Sequence, residues 1–345
     1  MPARISIVKA QGRGPPTCRR HAHLSTMARG SGSCRGRGSP AQRAPKRRLG
    51  ETSVSKPPVT MPCAALIVIS WSIHAAAAPL SIAHRGDSLY APENTLAAFS
   101  SATGKAHLVE FDVRVSADGH LVVMHDSSVN RTTDGIGPVA GLTLAQLKEL
   151  DAGSWFSPTF AGTRVPTIAE ALDAILAAGM TPLVEHKAGA AADYVANLQA
   201  LGVTADVVVQ SFNWPFLGAV HALDPSIRIA ALGQGRLQES VISYLQATGA
   251  DIVAWSYRDV VPADVSLVHG RGMELYVWTV NGEAIIRSFI EMGVDGIITD
   301  DPGLVWQLVP EPPAPMLAAM SLLCLTWYVH RPRHGRPVAD RIAPR

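Results

Sequence analysis

From about residue 80 to about residue 308 the chain alternates two kinds of pattern. Short runs rich in β-branched and apolar residues predict strands at 81–84, 108–114, 181–186, 206–210, 227–231, 251–255, 273–278 and 295–299. Between them, apolar positions recur at three- and four-residue spacing and predict helices over stretches such as 93–103, 168–178, 189–201, 236–248 and 283–292. Alternating strand and helix calls for a parallel sheet. Eight such units in about 230 residues suit a closed α/β barrel, the (β/α)8 or TIM barrel, of ordinary size. A doubly wound open sheet is the competitor, but no glycine-rich phosphate loop follows the first strand. Gly119 and the Gly135/Gly137 pair follow the second instead.

Outside this span the periodicity fails. Residues 1–60 are rich in Arg, Pro, Gly and Ser and predict no packed core, so they read as a disordered basic leader or as a mis-assigned start ahead of Met61. Residues 61–78 read as a signal peptide, with the apolar run Ala64–Trp71 followed by Ala75–Ala78, although no Lys or Arg follows Met61 directly. A buried helix is the alternative. Beyond the barrel span of 79–308, Val309-Pro310-Glu311-Pro312 precedes the mostly apolar run Met316–Val329 and then Arg331, Arg333 and Arg336. That order over 309–336 resembles the PEP-CTERM sorting tail of Gram-negative bacteria, which implies an exosortase-type processing enzyme as partner and transient membrane association through the tail. Residues 337–345 form a basic end. A leader and such a tail together predict an exported protein, periplasmic, at the cell surface or secreted, and a plain uncleaved anchor is the competing expectation.

Charge and cysteine sharpen the picture. The formal net charge of +2 hides a segregation: residues 1–60 hold 13 of the 30 Lys and Arg with Glu51 as their one acid, and 61–330 hold 12 basic against 26 acidic residues. A body that acidic repels a phosphate backbone, which argues against a nucleic-acid partner. All four cysteines lie outside 79–310, so neither a disulfide framework nor a thiol nucleophile belongs to the barrel.

In a barrel, chemistry sits where strands run into the following loops. There the chain has His84 and Arg85 after the first strand, Glu110 and Asp112 on the second, and His125-Asp126 closing a short hairpin after Asp118-Gly119. Glu185 and Lys187 end the third strand, Gln210 the fourth, Trp278 the seventh and Asp300 the eighth. Glu110 and Asp112 are two apart, so both face one way, inward if Phe111 and Val113 face the helices. Inward carboxylates repel and are costly to bury, and a divalent cation answers both problems. With Glu185 they offer three oxygen ligands, a set suited to Mg2+ or Ca2+ and unlike a zinc site; an ion pair with Lys187 is the alternative and can coexist. His84 and His125 are the titratable pair fitted to acid and base work on a phosphodiester, with Arg85 and Lys187 as charges for its oxygens.

Taken in order, His84-Arg85-Gly86, Pro92-Glu93-Asn94-Thr95, Glu110-Phe111-Asp112-Val113, Val123-Met124-His125-Asp126, Arg131-Thr132-Thr133, Glu185-His186-Lys187, Gln210-Ser211-Phe212, Val277-Trp278-Thr279-Val280-Asn281 and Gly293-Val294-Asp295-Gly296 resemble the glycerophosphodiester phosphodiesterase family. The resemblance spans nearly all of 80–308. It implies a TIM barrel, a divalent metal on Glu110, Asp112 and Glu185, acid/base histidines at His84 and His125, and hydrolysis of a glycerophosphodiester to sn-glycerol 3-phosphate and an alcohol. It also implies that Trp278 walls the substrate pocket and that Ser127–Arg164 is the family's insertion after the second strand. That insertion is short here, which predicts an open mouth and a tolerant alcohol pocket. His186 departs from the family pattern and is expected to face the helices as a structural residue. Glu93-Asn94-Thr95 is expected to start the first helix, with Asn94 or Thr95 bonding nearby backbone donors. Two rival functions stay open: a phospholipase D-like activity on lysophospholipids or sphingomyelin releasing a cyclic phosphate, and a non-catalytic surface protein that binds glycerophosphates.

Overall fold

A computed structural model describes residues 78–309. The leader, the signal-like segment and the sorting-tail motif named above lie outside the described residues. Nine strands are present among those residues: β1 Leu80–Ala83, β2 Leu108–Val115, β3 Leu121–Val123, β4 Thr181–His186, β5 Val208–Ser211, β6 Arg228–Gly233, β7 Ile252–Ser256, β8 Glu274–Trp278 and β9 Gly296–Thr299. Eight of them run parallel in the order β1-β2-β4-β5-β6-β7-β8-β9, and β1 pairs with both β2 and β9, so the sheet closes. This is the expected (β/α)8 barrel. The ninth, β3, is the antiparallel hairpin partner of β2 and stands outside the ring.

The period-two alternation of each strand divides its side chains between two cores. Phe111, Val113, Val184, Val209, Val253, Leu275, Val277 and Ile297 face outward and pack under the helices. Ile82, Leu108, Leu183, Val208, Ala230, Ile252, Ala254, Tyr276 and Ile298 fill the lumen as a separate apolar cluster. One step further along the same inward rows the apolar filling ends. Glu110, Asp112, Glu185 and Gln210 follow on the strands, with His84, Trp278 and Asp300 at their C-terminal ends. Register aligns them, with Asp112 opposite Glu185 and Glu185 opposite Gln210.

Helices cover the ring: α1 Leu96–Ser101, α3 Ile168–Ala177, α4 Ala191–Leu201, α5 Trp214–Leu223, α6 Glu239–Ala247, α7 Pro262–His269, α8 Glu283–Met292 and α9 Pro302–Leu308, with α2 Leu144–Glu149 in the insertion. The capping box of Thr167 and Glu170 starts α3, and a left-handed Gly293 stops α8. Helix α1 begins later than the expected 93, because Asn94 adopts a left-handed backbone (φ 60) and Thr95 is the cap, accepting from Ala98 N. Helices α5 and α7 are weakly marked by periodicity. Each opens with a proline in its first turn, and apolar residues surround most of α5.

The insertion, residues 127–164, packs against β3 in a small separate core, where its Val129, Val139, Leu147 and Ala152 meet Val122, Met124 and Val165 from the flanking chain. Among the described residues no helix is long and apolar enough to cross a membrane.

Candidate active site

Three buried carboxylates form the floor of the mouth. Glu110, Asp112 and Glu185 each bring an oxygen within 4.8 Å of the others. Burial, with Asp112 and Glu185 alongside, pushes the Glu110 carboxyl well above the ordinary range. Glu185 is pushed up to about 7 by burial and by the charge of Asp112. Asp112 goes the other way: burial would raise it, but Lys187 and Arg85 together hold it below its usual value.

Cations and amides surround this floor. Lys187 Nζ lies 2.5 Å from Glu185 Oε1 and 3.1 Å from Asp112 Oδ1, and Arg85 Nε lies 3.4 Å from Asp112 Oδ2. The Arg85 backbone N–H donates to Glu110 Oε2 at 2.9 Å, and Gln210 Nε2 donates to Glu110 Oε1 at 3.3 Å. Asn94 donates to Asp112 Oδ2 at 2.7 Å and accepts from the Asp112 N–H at 3.1 Å. Arg85 and Asn94 are the two non-glycine residues with left-handed backbones among those described, a conformation that costs of order 1 kcal/mol or more and here aims groups of both at the carboxylates. Gly86 between them must be glycine: its φ is +85, and a Cβ would sit 2.6 Å from Ala98 Cβ.

The donor set fits a hard divalent cation. Asp112 Oδ1 and Glu185 Oε1 are buried, and their one close charged neighbour is the Lys187 ammonium, 3.1 and 2.5 Å away. Buried carboxylate oxygens from neighbouring strands, three acids to one lysine with Glu110 beside them and no cysteine or histidine in the cluster, match an oxygen-coordinated divalent ion.

Above the floor stand two histidines, each with a carboxylate on Nδ1. His84 Nδ1 lies 2.7 Å from Asp300 Oδ1. Asp300 also accepts from Ser88 Oγ at 3.0 Å and from Asn281 Nδ2 at 2.5 Å. Burial would raise the Asp300 carboxyl, yet these partners, His84 first, hold it at about 2. His125 Nδ1 lies 2.7 Å from Asp126 Oδ1. Burial lowers the His125 imidazole below its ordinary range, against the opposing pull of Asp112 and Asp126. Arg114 Nε and Nη2 hold the His125 carbonyl at 2.8 and 2.7 Å.

His84, Arg85, Glu110, His125, Glu185, Lys187, Gln210, Phe212, Leu232, Trp278, Thr279 and Ile298 line one cavity of about 140 Å³. Trp278 forms its aromatic wall, fixed by Nε1 to Ala254 O at 2.9 Å and meeting Phe212 edge to face. No residue of 127–164 lines it.

These observations meet a direct comparison with known proteins. The model of the glycerophosphoryl diester phosphodiesterase family matches residues 84–304, from His84 into α9. The chain belongs to that family. It is 37% identical over 237 residues to the glycerophosphodiester phosphodiesterase of Caldanaerobacter subterraneus subsp. tengcongensis, covering 67% of this chain and 97% of the relative. A glycerophosphodiester phosphodiesterase of Bacillus subtilis is 34% identical over 254 residues, covering 65% of this chain and 84% of that protein. Among solved structures it is similar to the Agrobacterium tumefaciens glycerophosphodiester phosphodiesterase, with a TM-score of 0.59 and 29% identity over 66% of this chain and 99% of that one. It is similar also to an Oleispira antarctica phosphodiesterase in complex with its product sn-glycerol-3-phosphate, with a TM-score of 0.63 and 29% identity over 67% and 97% of the two chains.

All eight site residues expected from the sequence of this family member converge on the same mouth: seven line the cavity, and Asp112 lies beneath them. His186 faces the helices as expected, stacked on Phe216 at 3.6 Å with its nitrogens near Ser211 Oγ and Gly189 O. Of the two residues expected to bond nearby backbone donors, Thr95 does so, at Ala98 N, and Asn94 does not. The partner of Asn94 is Asp112 on β2, the strand after α1. The sequence reading did not give the roles of Asp126, Asp300, Arg131 and Asn281 in the site. Asp126 and Asp300 were visible as loop-ending acids, and Arg131 and Asn281 as members of motifs, but nothing in their spacing named their partners. Arg114, two beyond Asp112 on the same inward row, could have been anticipated.

Proposed function

We propose that this family member hydrolyses a glycerophosphodiester to sn-glycerol 3-phosphate and an alcohol, using His84 and His125 as the proton-transferring pair and a divalent cation held by Glu110, Asp112 and Glu185. The reading rests above all on one observation: two imidazoles, each with Nδ1 on a carboxylate, open onto the same cavity as a buried carboxylate trio. A carboxylate on Nδ1 favours the Nδ1–H tautomer and leaves Nε2 as the nitrogen for the reactant. One imidazole takes the proton of the attacking water and the other supplies a proton to the departing alkoxide, a division that a single imidazole cannot perform at both oxygens at once. When bound, the cation supplies Lewis-acid charge beside the phosphodiester. Lys187 and Arg85 add positive charge to the same wall, and both are oriented by carboxylates. Trp278, Phe212, Leu232 and Ile298 give the cavity an apolar side for the carbon skeleton. Because the insertion contributes no lining residue, the side for the alcohol is open, which supports tolerance of several head groups.

The test is to treat the purified protein exhaustively with chelator, return Mg2+ or Ca2+, and follow a panel of glycerophosphodiesters by phosphorus NMR. Activity should vanish with the metal and return with it, with sn-glycerol 3-phosphate as product. A cyclic phosphate product would instead favour the phospholipase D-like course, and full activity after chelation would remove the metal from the reaction.

A further inference from the structure

We propose that Arg131, in the insertion, is a positioning residue for His125. Its guanidinium spans two carboxylates. Nε donates to Asp126 Oδ2 at 2.8 Å and Nη2 to Asp126 Oδ1 at 3.1 Å. On its other edge Nη1 donates to Glu93 Oε2 at 2.7 Å and Nη2 to Glu93 Oε1 at 2.8 Å. Glu93 accepts in turn from Arg85 Nη1 at 2.8 Å, and the Arg85 N–H is bound to Glu110. An unbroken line of contacts therefore runs from the His125 imidazole through Asp126, Arg131, Glu93 and Arg85 to the carboxylate floor.

The physical need for such a clamp is local. Asp126 sits in the connection after β3, outside the barrel ring, where no strand pairing fixes its side chain. A carboxylate there that is 29% exposed would share its rotamers with water, and the imidazole that depends on it would turn with it. Arg131 holds both carboxylate oxygens at once, an arrangement a lysine ammonium cannot copy because it lacks the planar fork. The strong hydrogen bonds from Arg131 and from His125 also keep the Asp126 carboxyl well below its usual range, so it remains a charged acceptor for Nδ1–H. Glu93 and, after it, Asp126 raise the guanidinium correspondingly above its ordinary value. The bland alternative is that Arg131 merely ties the insertion to the loop after β1. That alternative predicts a change in stability with no change in the imidazole.

The inference rests on the acid/base reading of His125, and the test separates the two. Arg131→Gln should lower kcat by roughly tenfold to a hundredfold with KM changed little, the range typical of groups that orient a reacting residue. Nitrogen-15 NMR of the unloaded protein should show the His125 ring moving from a single Nδ1–H tautomer towards a mixture, with that of His84 unchanged. Arg131→Lys should recover little of either property. In a double-mutant cycle, Arg131→Gln added to Asp126→Asn should cost almost nothing further, since both remove one arrangement. Unaltered kcat, an unaltered His125 tautomer or fully additive losses would each overturn the proposal. If Arg131→Gln does not fold, Arg131→Lys, which keeps the charge, carries the same test. Because the NMR readout needs no substrate, an altered tautomer in a protein that hydrolyses no glycerophosphodiester would uphold the positioning role and sink the reaction instead.

Discussion

On the His84 side of the mouth the carboxylate that meets Nδ1 belongs to Asp300 and is held by neutral donors, Ser88 Oγ and Asn281 Nδ2. On the His125 side it belongs to Asp126 and is held by a cation, Arg131. The difference follows from where the chain passes. Ala83 pairs with Thr299 on adjacent parallel strands, so His84 and Asp300, the next residue of each, emerge side by side from the barrel wall. Their alignment is inherited from the ladder. His125 and Asp126 leave a three-residue hairpin strand outside the ring, and side chains must do there what the ladder does on the other side: Arg114 grips the His125 carbonyl and Arg131 grips Asp126. A scaffold-borne histidine and a loop-borne one can thus serve one cavity, but the second depends on longer, charged side chains.

The largest expected effect tests whether the two are equal partners. His84→Ala and His125→Ala should each lose roughly a hundredfold or more in kcat, the scale of general acid or base assistance. Steady-state kinetics on a glycerophosphodiester decide this, and near-normal turnover in one variant would break the pairing. The carboxylates come next. Asp300→Asn should reduce both activity and folding stability, the latter by about 1–2 kcal/mol, because His84, Ser88 and Asn281 all converge on that side chain. Asp126→Asn should reduce activity while changing stability by less than about 1 kcal/mol, as for a screened ion pair. Denaturant unfolding of both variants measures the contrast, and equal stability losses would show that scaffold and loop are not distinguished in this way.

The smallest effect concerns pH and salt. Asp300 is held at about 2 in the folded protein, against about 4 for an unfolded aspartate. A depressed carboxylate stabilises the fold above the unfolded value and loses that contribution as pH falls through the folded one. Stability should therefore decline from about pH 4 towards pH 2, and this component should be missing in Asp300→Asn. Asp126 contributes in the same direction, but its share depends on attraction to Arg131 and should shrink in about 1 M salt, where the screening length falls to about 3 Å. The Asp300 share, built on neutral donors as well as His84, should persist. Acid unfolding curves of the two asparagine variants at low and high salt separate them.

Much of the barrel was legible because it obeys a local rule. Side chains two apart on a strand share a face, so Glu110 with Asp112, and Phe111 with Val113, could be assigned to inside and outside from order alone, and the ordered motifs extended the same reading to the whole mouth. Less was legible where local signals conflict with tertiary demands. The prolines and the apolar surface of α5 blur its periodicity, and the left-handed Asn94 displaces the start of α1.

By itself, then, the sequence determined which residues line the barrel, which of them are acids, and which histidines stand at strand ends, since these follow from alternation between neighbours in the chain. Only the tertiary structure decided which side chain holds which. His84 meets a carboxylate 216 positions away, Arg131 reaches back 38 positions to Glu93, and Asn94 serves Asp112 rather than its own helix. The first of these joins loops that meet only when the first and last strands pair and close the ring. The other two join segments brought together by β1, β2 and β3 lying side by side, and no periodicity along the chain encodes the distance between two such segments.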